Sequence, residues 1–396
     1  MKVVVTCLFG LESLVGEDIA ALGYKKEDIS VADGIVSLTV PDYEIPVAVA
    51  RLNMWVATGE RVFVEIGDFF AESFDELFEG IESLPWEDYI PEGYAFHVNG
   101  YSRKSTLFGI PACQSISKKA IVKRLLPKRG NSEILEEDER NGLLKIQLGI
   151  VSDQVFVRID TSGDGLHKRG YRPLSNTAPI RETLAAGLVR LSRYQAFGKE
   201  ALVDPFCGSG TIVIEAARAA LGIAPGIDRS FSAEGWPVIG KEVFDKEREA
   251  AEAKIKKPSV EQIFFYGSDI DEKAVEISIR NAKTARVSGY TRFEKRDALS
   301  LSPSILEEWT GHARSLVLCN PPYGERLLSE KEAAAIYRRI GKCFLTRDGK
   351  CQMGIRLSVI SPDDTFEKVI GHKADKRRKL YNGNIKCQMY HYHKIR

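Results

Sequence analysis

The chain has 396 residues, 44% hydrophobic and 28% charged, a composition that excludes disordered, collagenous and disulfide-scaffold classes and predicts two or three globular domains. Its 56 basic and 55 acidic residues give a net charge of +1, which would argue against a polyanion partner only if the charges were evenly spread. Residues 1–92 hold 5 Lys/Arg and 19 Asp/Glu, whereas residues 93–130 hold 8 Lys/Arg and no acid, so neutrality is a cancellation that leaves nucleic acid open as a partner.

Residues 3–6 read as a buried strand, 11–22 as a helix stopping at Gly23, 35–40 as a strand, 47–52 as a helix and 61–66 as a strand. An acidic amphipathic helix follows over 74–84, then a short strand at 95–98, a basic helix over 115–126, and strands at 143–148 and 154–160. The polar, Gly-rich TSGDGLHKRGYRPLSN (161–176) reads as a linker. Beyond Ala178, helices over 179–191, 211–221, 272–288 and 331–344 alternate with strands at 201–203, 263–266, 292–294 and 315–319, which predicts a parallel α/β sheet. The charged interval 229–258 reads as an inserted, exposed helical excursion. His391 and His393 read as strand residues rather than ligands.

The seven cysteines show neither C-x-x-C nor Cys/His zinc spacing, so no metal site is expected, and scattered thiols suit a reduced, cytoplasmic setting. The opening MKVVVTCLFGLE reads as a first strand rather than a signal peptide. No apolar run reaches the ~18 residues that span a bilayer, so no membrane association is expected.

Two constellations carry chemistry. In ALVDPFCGSGT (201–211) an apolar strand ends at Asp204, and a turn containing Pro205, Cys207, Gly208 and Gly210 opens a helix. A ligand at the strand's carboxyl end would meet backbone N–H groups and a carboxylate together. No Lys follows Gly210, which disfavours a P-loop, and Val213 stands where a dinucleotide fingerprint needs glycine. A carboxylate here suits a ligand ammonium group. The next strand leads to Asp269 and Ile270, an acid for ribose hydroxyls beside an apolar surface for a base, and a third strand leads to Asp297, an acceptor for an adenine amine. Together they outline a pocket for S-adenosylmethionine.

The second constellation is LVLCNPPYG (316–324), where Asn320, Pro321, Pro322 and Tyr323 follow an apolar strand. The prolines fix the backbone so that the Asn320 amide oxygen and the Pro321 carbonyl can accept both N–H groups of an exocyclic base amine. Tyr323 would stack on a base turned out of its helix.

These motifs resemble those of class I S-adenosylmethionine-dependent methyltransferases that modify base amino groups. The longer strings DPFCGSGTIVIEAA (204–217) and NPPYGERL (320–327) are similar to the RlmL/YpsC group of ribosomal RNA guanine-N2 methyltransferases. LFGLESLVGEDIAALGY (8–24) resembles that group's ferredoxin-like region, QSISKKAI (114–121) its RNA-binding THUMP domain, and HKRGYR (167–172) and APIRETLAA (178–186) the lead-in to its catalytic core. The resemblance implies an α/β chain with four parts: a ferredoxin-like region over 1–65, THUMP over 66–162, a linker over 163–178, and a Rossmann-like core over 179–396. It implies methylation of guanine N2 in 23S rRNA, with Asp204, Gly208, Asp269 and Asp297 on the cofactor and Asn320, Pro321 and Tyr323 on the guanine.

Guanine in tRNA, adenine N6 in DNA or RNA, and a non-catalytic ribosome-assembly role remain alternatives, and a monomer and a weak dimer are both compatible with the sequence. RNA contact is expected at Arg103, Lys104, Lys118, Lys119, Lys123 and Arg124, interleaved with Tyr101 and Phe108. The stretch 371–396, with 8 basic residues and 1 acid, is a further candidate, and the acidic run 133–139 reads as a solvated loop.

Overall fold

A computed structural model describes residues 1–128, 135, 137–172, 180–259, 263–323 and 329–394. The chain divides into two compact units, one of Met1–Cys7, Val15–Leu166 and Arg229–Ala250, the other of Leu8–Leu14, His167–Asp228 and Ala251–Arg396.

The first unit is built on strands β1 (Lys2–Cys7), β2 (Ile29–Ala32), β3 (Ile35–Thr39), β4 (Gly59–Phe70), β5 (Tyr94–Arg103), β6 (Asp138–Val151) and β7 (Gln154–Asp160). They form one sheet in the order β2-β3-β1-β4-β7-β6-β5. Every neighbouring pair is antiparallel except β5 and β6. Val3, Val4 and Val5 are fully buried, because a strand covered on both faces needs apolar side chains at successive positions. The helix Phe74–Ser83 starts at a capping box: Ser73 Oγ accepts the Glu76 N–H and the Glu76 carboxylate accepts the Ser73 N–H. Across β4 and β7, Glu65 stands opposite Arg158, and the two form a buried ion pair at 2.9 Å.

The charged interval is helical and inserted as expected, but it is exposed only in part. Phe231 and Phe244 stack at 5.3 Å, Trp236 is buried, and the Arg229 guanidinium donates to the carbonyls of Ser162, Asp164 and Gly165. The charges of the helix Lys241–Ala253 mask an amphipathic stripe whose buried face includes Phe244 and Ala251. The stretch 161–172 is likewise built into the structure. Thr161, Ser162, Leu166, Arg169 and Tyr171 are buried, and the Asn53 side chain bonds Thr161 Oγ1 at 2.8 Å and Ser162 Oγ at 2.7 Å. Residues 173–178 of the expected linker lie outside the described residues.

The second unit is a sheet of β8 (Ala201–Asp204), β9 (Phe265–Asp269), β10 (Thr291–Lys295), β11 (Ser315–Cys319), β12 (Ile355–Ser361), β13 (Lys376–Asn382) and β14 (Ile385–Tyr392). Its order is β10-β9-β8-β11-β12-β14-β13. The first five strands in that order are parallel, as expected, whereas β14 runs antiparallel to both β12 and β13. Trp309, Tyr337, Phe344, Leu357, Phe366 and Tyr390 pack one core of this unit. The succession β8-β9-β10 runs one way from β8 and β11-β12 the other. At such a switch point the loops after β8 and β11 part, leaving a crevice at the carboxyl edge of the sheet.

Candidate active site

The turn after β8 is held by groups from three directions. The Phe206 N–H donates to Asp204 Oδ1 at 3.0 Å, the Cys207 N–H to the Ser268 carbonyl at 2.9 Å, and the Gly208 N–H to Asp269 Oδ2 at 3.0 Å. From the helix Glu272–Thr284, Ser278 Oγ donates to the Gly208 carbonyl at 2.8 Å and Asn281 Nδ2 to the Ser209 carbonyl at 3.0 Å. Gly208 and Gly210 have φ of +53° and +82°, and Gly210 caps the helix Thr211–Leu221 in the left-handed conformation that glycine adopts without a Cβ penalty. Ser278, Asn281 and Ser268 are contributors that sequence reading missed. The only signal was a pair of polar residues on the inner face of an amphipathic helix.

Asp204 is 1% exposed, and burial raises its carboxyl to about 8, with the nearby Asp269 charge pushing the same way. A buried acid with one backbone donor is a group that gains from a cationic ligand. Pro205 and Cys207 are buried beside it, and burial pushes the Cys207 thiol up. Asp269 is half-buried at the end of β9, and its Oδ1 also accepts the Asp271 N–H at 3.0 Å. Ile270 is 68% exposed. Asp297, after β10, is exposed and accepts the Leu299 N–H at 2.9 Å, capping a short turn. The three acids therefore follow β8, β9 and β10, three adjacent parallel strands, at one edge of the sheet.

A further clamp reaches the same helix start. The Arg172 guanidinium donates to Thr211 Oγ1 and the Ile180 carbonyl at 2.9 Å each and to the Glu182 carboxylate at 3.0 Å.

Asn320 follows β11, on the other side of the switch point. Its Oδ1 is buried and has no hydrogen-bond partner among the described residues, an acceptor whose unpaired state costs about 1–3 kcal/mol until a donor arrives. Pro321 is buried and Pro322 half-buried. Tyr323 is half-buried, its hydroxyl accepts from Asn382 Nδ2 at 2.8 Å, and burial raises it to about 12. Residues 324–327 of the same string lie outside the described residues.

The basic candidates in the first unit divide into two sets. Lys118 pairs with Glu137 at 3.1 Å, Lys123 with Glu82 at 2.9 Å, and Arg124 bonds Glu87 through two nitrogens, which holds the Glu87 carboxyl down at about 2. The stretch without acids of its own thus meets acids brought in by neighbouring elements. Arg103, Lys104 and Lys119 are exposed and form no ion pair among the described residues, and Phe108 is 82% exposed near the first two in sequence. Arg129 and three residues of the acidic run, 133, 134 and 136, lie outside the described residues. His391 sits in β14 and bonds Ser358 Oγ at 2.9 Å, with burial lowering it to about 4, while His393 follows just after the strand. No described helix is long and apolar enough to cross a membrane.

The chain belongs to the family of RMKL-like methyltransferase domains, whose model matches residues 169–391. Models of the RlmL ferredoxin-like domain and the THUMP domain match residues 2–63 and 71–160. A Bacillus subtilis (strain 168) protein named "Putative RNA methyltransferase YpsC" is 37% identical over 98% of this chain and 95% of its own length. The "Ribosomal RNA large subunit methyltransferase K/L" of Marinomonas sp. (strain MWYL1) is 28% identical over 98% of this chain, which spans 52% of that longer protein. The crystal structure of "SMU.472, a putative methyltransferase complexed with SAH" superposes with a TM-score of 0.84 at 34% identity, covering 100% of this chain and 98% of that one.

Proposed function

We propose that this methyltransferase carries the methyl group of S-adenosylmethionine to the exocyclic N2 amine of a guanine in RNA, with 23S rRNA as the substrate. The observation that carries the reading is the buried, unpartnered Oδ1 of Asn320 at the carboxyl end of β11. The large-subunit assignment follows the K/L relatives, of which the chain spans about half, and SAH in the SMU.472 crystal supports the cofactor.

Asp204, Pro205, Cys207, Gly208, Gly210, Asp269, Ile270, Asp297 and Asn320 form the cofactor side. Asp204 balances the ammonium group, Asp269 keeps spare lone pairs for ribose hydroxyls, and exposed Ile270 offers a face to the adenine. When bound, S-adenosylmethionine supplies an electrophilic methyl on sulfur. Asn320 Oδ1 and the Pro321 carbonyl accept the two amine N–H groups, which turns the nitrogen lone pair out of conjugation and aims it. As the methyl passes from sulfur to nitrogen the amine would shed one N–H proton to solvent, so Asn320 and Pro321 position the nucleophile and neither acts as the base. Tyr323 stays a neutral phenol at working pH, because burial holds it at about 12, and its ring stacks on the flipped base.

The test is incubation with labelled cofactor and undermodified 23S rRNA, tRNA or DNA, followed by digestion to nucleosides. Labelled N2-methylguanosine from rRNA is expected, and label confined to N6-methyladenine would overturn the assignment. Asn320→Ala should abolish transfer while SAH binding stays within a few fold. Undiminished transfer would remove Asn320 from its role, and no transfer by the wild type to any substrate would favour a non-catalytic RNA-binding protein.

A further inference from the structure

We infer that the end of β13, with the segment Leu8–Leu14 folded against it, is a stacking platform for the nucleotide that flanks the target base. The inference rests on the RNA reading above and adds residues to it that neither motif contains.

The topology puts this feature at the reacting edge. Strand β11 is parallel to β12, β14 is antiparallel to β12, and β13 is antiparallel to β14. Strand β13 therefore runs with β11 and ends on the same edge as Asn320. Its last residue, Asn382, donates to the Tyr323 hydroxyl at 2.8 Å. The residue before it, Tyr381, meets the ring of Phe9 edge-on, with centroids 5.7 Å apart, and Lys379 Nζ lies 5.4 Å from the Tyr381 ring centroid. An aromatic pair capped by an ammonium group thus sits one residue from a side chain that touches the proposed base-stacking tyrosine.

Phe9 is 48% exposed, yet its segment is fastened at several points. The Arg378 guanidinium donates twice to the Gly10 carbonyl, at 2.8 and 3.2 Å, and reaches Ser13 Oγ at 3.4 Å. Gly10 has φ +95°, and a Cβ there would come within 2.4 Å of the Lys379 carbonyl oxygen, so only glycine lets the backbones approach this closely. Leu11 fills the space beside Gly187, where a Cβ would meet it at 2.7 Å, and Arg190 Nη1 donates to the Leu14 carbonyl at 3.2 Å. An exposed ring held in this way is presented rather than stranded.

The charge fits a nucleotide. Arg378 and Lys379 form no ion pair among the described residues, so their charge is left for phosphate. Arg377 and Lys386 are matched by Glu367 and Asp364, and the Glu12 carboxylate accepts the Gly10 N–H at 2.8 Å. Cations without a carboxylate partner beside an exposed Phe9 and a half-buried Tyr381 suit single-stranded RNA: one base against the rings and its phosphate against Lys379.

The test is a Phe9→Ala/Tyr381→Ala double variant of the full chain, assayed by anisotropy against a fluorescein-labelled, random-sequence, single-stranded RNA dodecamer. Binding should weaken about tenfold with the salt slope unchanged, whereas Lys379→Glu should weaken binding and lower the slope by about one. SAH affinity and the thermal midpoint serve as controls for folding. If the double variant unfolds, Phe9→Leu/Tyr381→Leu keeps the bulk, removes the rings and carries the same expectation. Dodecamer affinity within about twofold of wild type, in a variant that still binds SAH, overturns the platform and leaves the methylation reading intact. Weakened binding in a protein that methylates no RNA supports the platform and overturns the chemistry instead.

Discussion

Asp269 accepts the backbone N–H of Gly208 across 3.0 Å, so the acid that ends β9 also holds the shape of the turn that follows β8. On the proposed function, one carboxylate would serve both the ligand and the loop beside it. Asp269→Ala should weaken SAH binding by tenfold or more, about 1.4 kcal/mol at least, by calorimetry. Asp269→Asn, which keeps an acceptor but loses the charge, should fall between the two.

Asp204 predicts a pH effect of defined sign. Its carboxyl stands at about 8 in the folded chain against 3.8 in its unperturbed state, mainly through burial. Between those values the native state holds a proton that the unfolded state has lost, so stability from this group is complete below about pH 4 and disappears as pH rises through about 8. Asp204→Asn should flatten that part of the stability profile in urea melts at a series of pH values. A cationic ligand reverses the preference. SAH binding at pH 7 should therefore release a proton, seen as a buffer-dependent binding enthalpy, and Asp204→Asn should lose the release together with much of the affinity.

The two sets of basic residues in the first unit should behave differently toward RNA. Lys118, Lys123 and Arg124 are already matched by Glu137, Glu82 and Glu87, so replacing all three with Ala should change affinity by less than about threefold, since such pairs carry little free charge to offer phosphate. Replacing Arg103, Lys104 and Lys119 with Ala should cost more, and the salt slope should fall by about one for each side chain that had neutralised a phosphate. Equal effects in filter binding at several salt concentrations would show that the acids do not screen their partners.

The buried Glu65–Arg158 pair predicts an asymmetric stability effect. Removing one partner, as in Glu65→Ala, leaves a buried guanidinium without its counter-ion and should cost roughly 3–5 kcal/mol in urea unfolding. A Glu65→Leu/Arg158→Met double variant should recover much of that loss.

What the sequence disclosed follows from how local the signal is. The helix Thr211–Leu221 and strand β11 were legible at their observed bounds, because an apolar run, a turn residue and a helical repeat sit next to one another in the chain. Asp204, Asp269 and Asn320 stood out for the same reason, each at or just beyond the end of an apolar run, whereas Asp297 follows the mostly polar strand TRFEK. Strand β13 was not legible: its KRRK reads as a charge patch, since an edge strand carries solvated residues where an inner one carries valines, whereas β14 was read only at His391. Asn382 was hidden too, because its link to Tyr323 is created by sheet order rather than by any local pattern. The charged helix Lys241–Ala253 misled in the opposite way, its few buried apolar residues being outnumbered by ions.

The interleaving of the two units has a consequence for how such a chain can be cut or recombined. Arg229–Ala250 belongs to the first unit yet is encoded within the second, and Leu8–Leu14 belongs to the second yet lies inside the first. No single breakpoint yields both halves intact. A fragment ending near residue 163 would lack Phe231, Trp236 and Phe244, and one beginning there would lack Phe9, Gly10 and Leu11. Exchange of the second unit between relatives would therefore succeed only if both interleaved stretches travelled with their own partners, so a chimera would have to be spliced at several points rather than one.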